Sequence, residues 1–411
     1  MSPAAFTFFF PYRPVGGVPV LFGRLARALA ARGHACRVVD YHDGALAKSV
    51  QGAAGVELLA FEDGRPIEIG PEGVLVMQAI LPATMRSEMR VHPDMRVLFW
   101  VLHVMNLVQV VLPWKQTRDW QARSLFVQRA VNRTVLRVFQ SSLKAFVRDL
   151  ARARSLVFMD GSTWRGTQER LEVDLPRAFV PVTLDVPQEN PRARARTGAP
   201  LHAGWLGRLD DFKVEILNHT IGALAREADR RGQPIEMRII GDGPLAGHVR
   251  TSPSLRLTVV RAGTVMGAEL TRQLASLDVL FAMGTSALEG ASLGVPTVLL
   301  DFAYGPIPAD YRYRWLFDAQ DYELGRLIDA SLRGEPSDAS LARILEEVTS
   351  DPATLSDRCF DYCRRQHSLE SGVETFLNAA GAASFRFGDI DPRLRRKSWL
   401  RRGYESLRVQ A

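Results

Sequence analysis

Three short stretches in the second half of the chain carry residue types that suit a phosphate-bearing ligand. The first is Gly207-Arg208-Leu209-Asp210-Asp211-Phe212-Lys213, where a strand-like run ends in glycine and an Arg and a Lys follow five residues apart. Arg offers a bidentate fork and Lys a point charge, and the helix start predicted just beyond adds partial positive charge. The second is Gly241-Asp242-Gly243-Pro244-Leu245-Ala246-Gly247, after another strand. It is one residue too long for the dinucleotide glycine fingerprint, and Pro244 lacks a backbone donor, so a nicotinamide site is rejected. The third runs from Met283 to Thr297. Gly284 follows a strand, Thr285 and Ser286 suit a helix N-cap, and Glu289 falls about one turn into that helix. Free backbone N–H groups there suit a phosphate, and a carboxylate at Glu289 suits the two hydroxyls of a ribose. In the first half, His103 and Asp160 each stand at the end of a strand-like run.

The elements that must position these residues alternate strand and helix, which predicts α/β with parallel sheets. Strands are expected at 6–10, 36–40, 74–77, 96–101 and 156–159, with a helix at 21–31 and a hairpin joining 57–61 to 67–69 around Glu62-Asp63-Gly64-Arg65. Residues 187–200, with three prolines and no apolar run, read as a linker. Beyond it the alternation restarts, with strands at 202–206, 235–240, 255–260, 279–283 and 297–300 and a helix at 214–231. The domains read as 1–186, linker 187–200, 201–365, and C-terminal helices with a basic tail, 366–411, that cross back onto the first domain or meet a membrane. A ligand is expected in the cleft between two doubly wound domains, beyond the carboxyl ends of the strands.

Composition narrows the class. The 411 residues are 46% hydrophobic and 24% charged, ordinary for a soluble protein, and exclude a disordered or collagen-like chain. The net charge of +7 is unevenly spread. Residues 114–154 carry +8 and 386–411 carry +5, which leaves the rest at −6, unlike a protein that coats nucleic acid. Arg129, Arg133, Arg137, Lys144, Arg148 and Arg152 cover an arc of about 140° on a helix. Val127, Val131, Val135, Val138, Phe139, Phe146 and Leu150 fall opposite, with Trp114 and Trp120 just before and Ser141-Ser142 as an expected break. Such a cationic face, joined by Arg393, Arg395, Arg396, Lys397, Arg401 and Arg402 around Trp399, Leu400 and Tyr404, suits an anionic membrane surface. Cys36, Cys359 and Cys363 read as reduced thiols, and no membrane span or signal peptide is expected, which places the chain in the cytosol. No metal site is expected. Asp389-Ile390-Asp391 has the letters of one but lies in the basic tail.

The three stretches, in their order, resemble the donor-binding domain of GT-B glycosyltransferases, most like family four, whose loops read G-R-L-x-x-x-K, G-D-G-P and E-x-x-x-x-G-x-P. Gly16-Gly17-Val18 matches that family's glycine loop after the first strand, and the resemblance spans about residues 6–301. It implies two Rossmann-like domains facing a central cleft. It also implies that Arg208, Lys213 and Ser286 hold the donor diphosphate, Glu289 the ribose, and His103 the reacting sugar through polar contact or acid–base assistance. Gly16 and Gly17 let the backbone approach the sugar and its phosphates, while Gly207, Gly241, Gly243, Gly284 and Thr285 complete the donor site. In retaining members the donor phosphate is thought to help remove the acceptor proton, with no metal and no cofactor beyond the nucleotide sugar. One departure stands out: the family carries two glutamates eight residues apart, and Phe281 stands eight before Glu289. The expectation is a metal-independent glycosyltransferase acting on a glycan or lipid-linked acceptor at the inner membrane face. A nucleotide-sugar epimerase of the same fold and a non-catalytic binding or scaffold subunit are the alternatives.

Overall fold

The computed structural model describes residues 4–14, 16–107, 137–192, 200–251, 254–328 and 337–395. These form two compact units, one of residues 1–183 with 369–411 and one of residues 184–368. Each unit holds a six-stranded sheet.

In the first unit the strands are β1 (Ala5–Phe9), β2 (Ala35–Asp40), β3 (Val56–Ala60), β5 (Val74–Gln78), β7 (Arg96–Val101) and β8 (Leu156–Phe158). They lie in the order β3-β2-β1-β5-β7-β8, all parallel. The central strands read as continuous apolar runs because both faces are covered: Val97 to Val101 are each 0% exposed. Helices α1 (Gly17–Ala31), α2 (Ala45–Val50), α3 (Arg137–Arg152) and α4 (Gly161–Leu171) belong to this unit. The expected hairpin is not formed. Strand β3 pairs with β2, while β4 (Ile67–Ile69) pairs in parallel with β6 (Met89–Val91) in a small separate sheet. Buried Phe61 and Ile69 both join the core on one side of the main sheet, so the chain leaves the sheet edge between them.

Helix α3 runs through Ser141 and Ser142 without a break. Serine weakens a helix interior by only about 0.5 kcal/mol, and the burial of Leu143, Phe146, Val147 and Leu150 on the sheet outweighs it. Of the expected cationic face, Arg148 and Arg152 are exposed, whereas Lys144 pairs with Glu172 at 3.1 Å. Trp114, Trp120, Arg129 and Arg133 lie outside the described residues, as do linker residues 193–199 and the tail from Arg396 onward.

The second unit opens with β9 (Leu201–Leu206), α5 (Val214–Arg231), β10 (Ile235–Ile240), β11 (Leu257–Gly263) and α6 (Gly267–Ala275). It continues with β12 (Val279–Ala282), α7 (Thr285–Ser292), β13 (Thr297–Leu299) and β14 (Arg314–Trp315), then α8 (Leu341–Ser350) and α9 (Pro352–His367). The sheet order is β11-β10-β9-β12-β13-β14, parallel except for β14. The Gly241–Gly247 stretch leads into a single 3-10 turn, Ala246–His248. The last α-helix among the described residues, α10 (Leu369–Ala382), returns to the first unit. There Phe376 packs against Phe6, Phe8 and Trp100, and Phe385 and Phe387 add to the core.

Candidate donor and sugar sites

The second unit has one topological switch point. From β9 the chain builds outward through β10 and β11, then crosses to β12 on the other side of β9 and continues to β13. Open α/β sheets bind ligands at such a point, beyond the carboxyl ends of the strands. Leu206 and Ala282 are paired neighbours at those ends. The loop that carries Gly207, Arg208 and Lys213 leaves from one, and the loop to Gly284, Thr285, Ser286 and Glu289 leaves from the other. Residues 71 to 82 positions apart in sequence are thus launched from adjacent strand ends.

Lys213 is the N-cap residue of α5. Its ammonium makes no hydrogen bond or ion pair to any described residue and lies 5.4 Å from the centre of the Phe212 ring. Burial pushes its pKa below the usual lysine value, with Asp210 opposing and Arg208 adding slightly. The Lys213 Nζ and the indole Nε1 of Trp205 flank Gly207, 3.5 and 3.7 Å from where a side chain on that glycine would begin. Trp205 is fully buried and its Nε1–H has no acceptor among the described residues. A buried N–H without a partner costs about 1–3 kcal/mol, so two donors here await an acceptor. The exposed Arg208 donates its Nε–H to both carboxylate oxygens of Asp210, at 2.8 and 2.9 Å. Sequence reasoning missed Trp205. Its one signal was a polar ring edge two residues before the strand's terminal glycine.

Gly241 and Gly243 act on the loop rather than on open space. A Cβ on Gly241 would stand 2.2 Å from the Gly207 carbonyl oxygen, and one on Gly243 2.5 Å from that of Leu209. Backbone bonds from Leu209 N–H to Asp242 and from Leu245 N–H to Leu209, at 3.0 and 3.1 Å, lock the two loops together. The wall they form has its shape set by backbone contact.

The cap of α7 is Gly284, not Thr285 or Ser286 as the residue types suggested. Its φ of 63° with ψ of −146° is a conformation essentially reserved to glycine. Its N–H donates to the Leu324 carbonyl at 2.7 Å. The N–H groups of Thr285 and Ser286, the first two of the helix, reach no acceptor among the described residues, as expected for a helix start facing an anion. Glu289 is half-buried at the fifth helical position. Phe281, where the resembled family has its first glutamate, is a fully buried residue of β12, and only Met283 and Gly284 separate that strand from α7. Cys359 and Cys363, one turn apart on α9, pack behind this helix. The Cys363 thiol reaches the Leu288 carbonyl at 3.6 Å, and Cys359 sulfur accepts the Thr297 N–H at 3.2 Å.

In the first unit the switch point lies between β1 and β5. Gly16 caps α1 in extended backbone and Gly17 opens the helix. A side chain on Gly17 would meet nothing within 4 Å, and one on Gly16 only Pro19 at 3.8 Å, so packing within the unit does not demand either glycine. The loop between β1 and α1 is fixed by Asp40, a buried residue that sequence reasoning passed over. Its Oδ1 accepts the N–H groups of Tyr12 and Tyr41 at 2.7 and 2.8 Å, and Oδ2 those of Leu46 and Ala47 at 2.8 and 3.0 Å. Burial raises its pKa although the four donors pull it down.

His103 follows β7, two strands from β1. Asn106 Oδ1 accepts the N–H groups of Leu102 and His103, both at 2.9 Å. The His103 Nδ1 accepts the Met105 N–H at 3.1 Å, so in the neutral ring the proton sits on Nε2. Burial, with a smaller push from Arg170, takes the pKa down to about 4. The imidazole is neutral near pH 7 and is suited to donate a hydrogen bond, not to act as an imidazolium acid. Asp160, by contrast, is fully buried and caps α4 by accepting the Thr163 N–H at 2.7 Å, which makes it a structural residue rather than a ligand contact. Asp389 and Asp391 bond the Arg386 N–H and the Arg393 side chain. Among the described residues, no group of three or more His, Cys, Asp or Glu could hold a metal ion.

Two doubly wound units, each built on a six-stranded sheet that is parallel but for β14, define the GT-B fold, and the chain has that fold. It is similar to a solved glycosyltransferase from Rickettsia africae over 92% of this chain and 98% of the other, at 9% identity and a TM-score of 0.54. It is also similar to Anabaena HepE, solved with UDP and glucose, over 92% and 100% at 13% identity and a TM-score of 0.51. A third likeness is to the lipopolysaccharide outer core galactosyltransferase WaaB, over 92% and 99% at 10% identity and a TM-score of 0.51. No protein-family model matches the chain, and no curated protein matches it in sequence. No described helix is long and apolar enough to cross a membrane.

Proposed function

We propose that the protein is a glycosyltransferase. It moves a sugar from a nucleoside diphosphate donor to a hydroxyl of a glycan or lipid-linked acceptor, with retention at the anomeric carbon, at the cytosolic face of a membrane. The observation that carries this reading is that, among the described residues, neither the Lys213 ammonium nor the Trp205 N–H beside Gly207 has an acceptor, at a switch point where the first amides of α7 have none either. Those donors suit a diphosphate. HepE with bound UDP and glucose supports the donor class, and WaaB supports an acceptor of the cell-surface kind.

In this reading the bond from the anomeric carbon to the diphosphate oxygen breaks and a bond to the acceptor oxygen forms. The acceptor proton passes to the departing phosphate, so no protein base is required. Lys213, Arg208 and the Thr285 and Ser286 amides stabilise the growing negative charge on the leaving group. Glu289 takes the ribose hydroxyls. The neutral His103 donates from Nε2 to a sugar hydroxyl. Neither a metal nor a further cofactor is called for in this scheme.

A thermal-shift screen of nucleotide sugars, followed by product analysis with and without acceptor, tests it. Stabilisation by one donor and transfer only when an acceptor is present are expected. Turnover of the donor alone would point to an epimerase, and binding with no turnover on any acceptor to a scaffold subunit.

A further inference from the structure

Behind the start of α7 lies a buried ionic cluster of three carboxylates and two guanidinium groups. Asp301, Arg314, Glu323, Arg326 and Asp338 are exposed by only 1, 3, 3, 7 and 7%. Buried ion pairs are poor stabilisers compared with apolar packing, because each charge loses its hydration. What such a cluster fixes is geometry, and here it fixes one short segment. Arg314 pairs with Glu323 at 3.2 Å and with Asp301 at 3.2 Å. Asp301 Oδ1 accepts the backbone N–H of Arg326 at 2.8 Å, its Oδ2 takes the Arg326 Nη2 at 2.9 Å, and Arg326 reaches Asp338 at 3.4 Å.

The two residues held between these anchors are Leu324 and Gly325. The Leu324 carbonyl is the acceptor for the Gly284 N–H, and Gly325 is pressed against Leu300, where a Cβ would stand 2.9 Å from the carbonyl oxygen. The segment then runs beside Phe302 through bonds from Phe302 N–H to Arg326 and from Ile328 N–H to Phe302, at 2.9 and 2.8 Å. A chain of hydrogen bonds and ion pairs therefore runs from the Asp301 carboxylate, through Arg326 and Leu324, to the glycine that turns the chain into α7.

We infer that Asp301 is a positioning residue for the α7 amides: through Arg326 and the Leu324 carbonyl it holds Gly284 in the conformation that aims the Thr285 and Ser286 N–H groups at a nucleoside diphosphate. This rests on the donor-site reading above. Asp301 itself touches no ligand. Its carboxylate sets the angle at which the helix presents its first turn.

The test pairs amide hydrogen exchange with calorimetric titration of UDP and GDP, on the full chain and its Asp301→Asn variant. Exchange in peptides covering 283–288 should quicken by about tenfold or more while β9 and α5 keep their protection. Affinity for whichever nucleotide the unaltered protein binds should fall by a similar factor. Should Asp301→Asn fail to melt cooperatively, Arg326→Lys, which keeps the charge and loses the fork, serves in its place. Unchanged exchange at 283–288 overturns the positioning role. Faster exchange with unchanged affinity overturns the link to the diphosphate. If the unaltered protein binds neither nucleotide, the donor reading fails and this inference with it.

Discussion

At the scale of single residues, His103 makes the sharpest statement about pH. Its folded pKa of about 4 lies below the value of 6.5 for an exposed imidazole. The unfolded chain therefore binds a proton that the folded chain refuses. Stability is full above pH 6.5 and declines as pH falls from 6.5 toward 4, by on the order of 3 kcal/mol over that window. Equilibrium unfolding of His103→Gln against the parent should show a shallower loss of stability across that interval. Equal slopes would mean that the ring is not held neutral. Residue types made His103 legible because it ends a strongly apolar strand. Trp205 and Asp40 were not, since an orphaned indole N–H and a carboxylate saturated by four backbone donors are products of distant segments meeting.

At the scale of elements, loops joined by backbone contact should not tolerate a side chain. Gly241→Ala places a Cβ 2.2 Å from the Gly207 carbonyl oxygen, so the two loops must part. Loss of about 2 kcal/mol or more in urea unfolding is expected, the size of a strained backbone or an overpacked contact, together with weaker nucleotide binding. A second expectation concerns α9. Burial pushes the thiols of Cys359 and Cys36 up to about 12 and raises that of Cys363 as well, and all three are buried. The folded protein should therefore leave a thiol reagent unreacted at pH 8, with three thiols titrating in denaturant; rapid native labelling of Cys359 or Cys363 would show that α9 opens. The alternation that announced β9, α5 and β10 was strong because those elements are long and two-faced. The pairing of β4 with β6 was hidden because each strand spans three residues. The cap of α7 was misassigned because side-chain type favours Thr and Ser, whereas the backbone angle there admits only glycine.

At the scale of the whole molecule, the net +7 divides into a mildly acidic body and two basic stretches. The described part of α3 shows how such a stretch is built, with Leu143, Phe146, Val147 and Leu150 buried and Arg148 and Arg152 outward. Vesicles rich in phosphatidylglycerol should bind the protein at low salt and release it near 0.5 M, where the Debye length falls to about 4 Å. The double reversal Arg133→Glu and Arg137→Glu should weaken that binding, and salt-insensitive or absent binding would count against membrane docking. The alternation of strands and helices was legible because each element's hydrophobic period follows from the faces it buries. The Asp301 cluster was invisible, because contacts spanning 13 and 25 residues leave no period to read.

The central claim is that the second unit holds a nucleoside diphosphate on Lys213 and its neighbours. Calorimetric titration of UDP and GDP into the protein and its Lys213→Ala variant addresses it most directly. One nucleotide per chain should bind, and the variant should bind at least about 30-fold more weakly at an unchanged melting temperature, the roughly 2 kcal/mol of one charge-assisted contact. Equal affinity in both proteins, or no binding of either nucleotide, would contradict it.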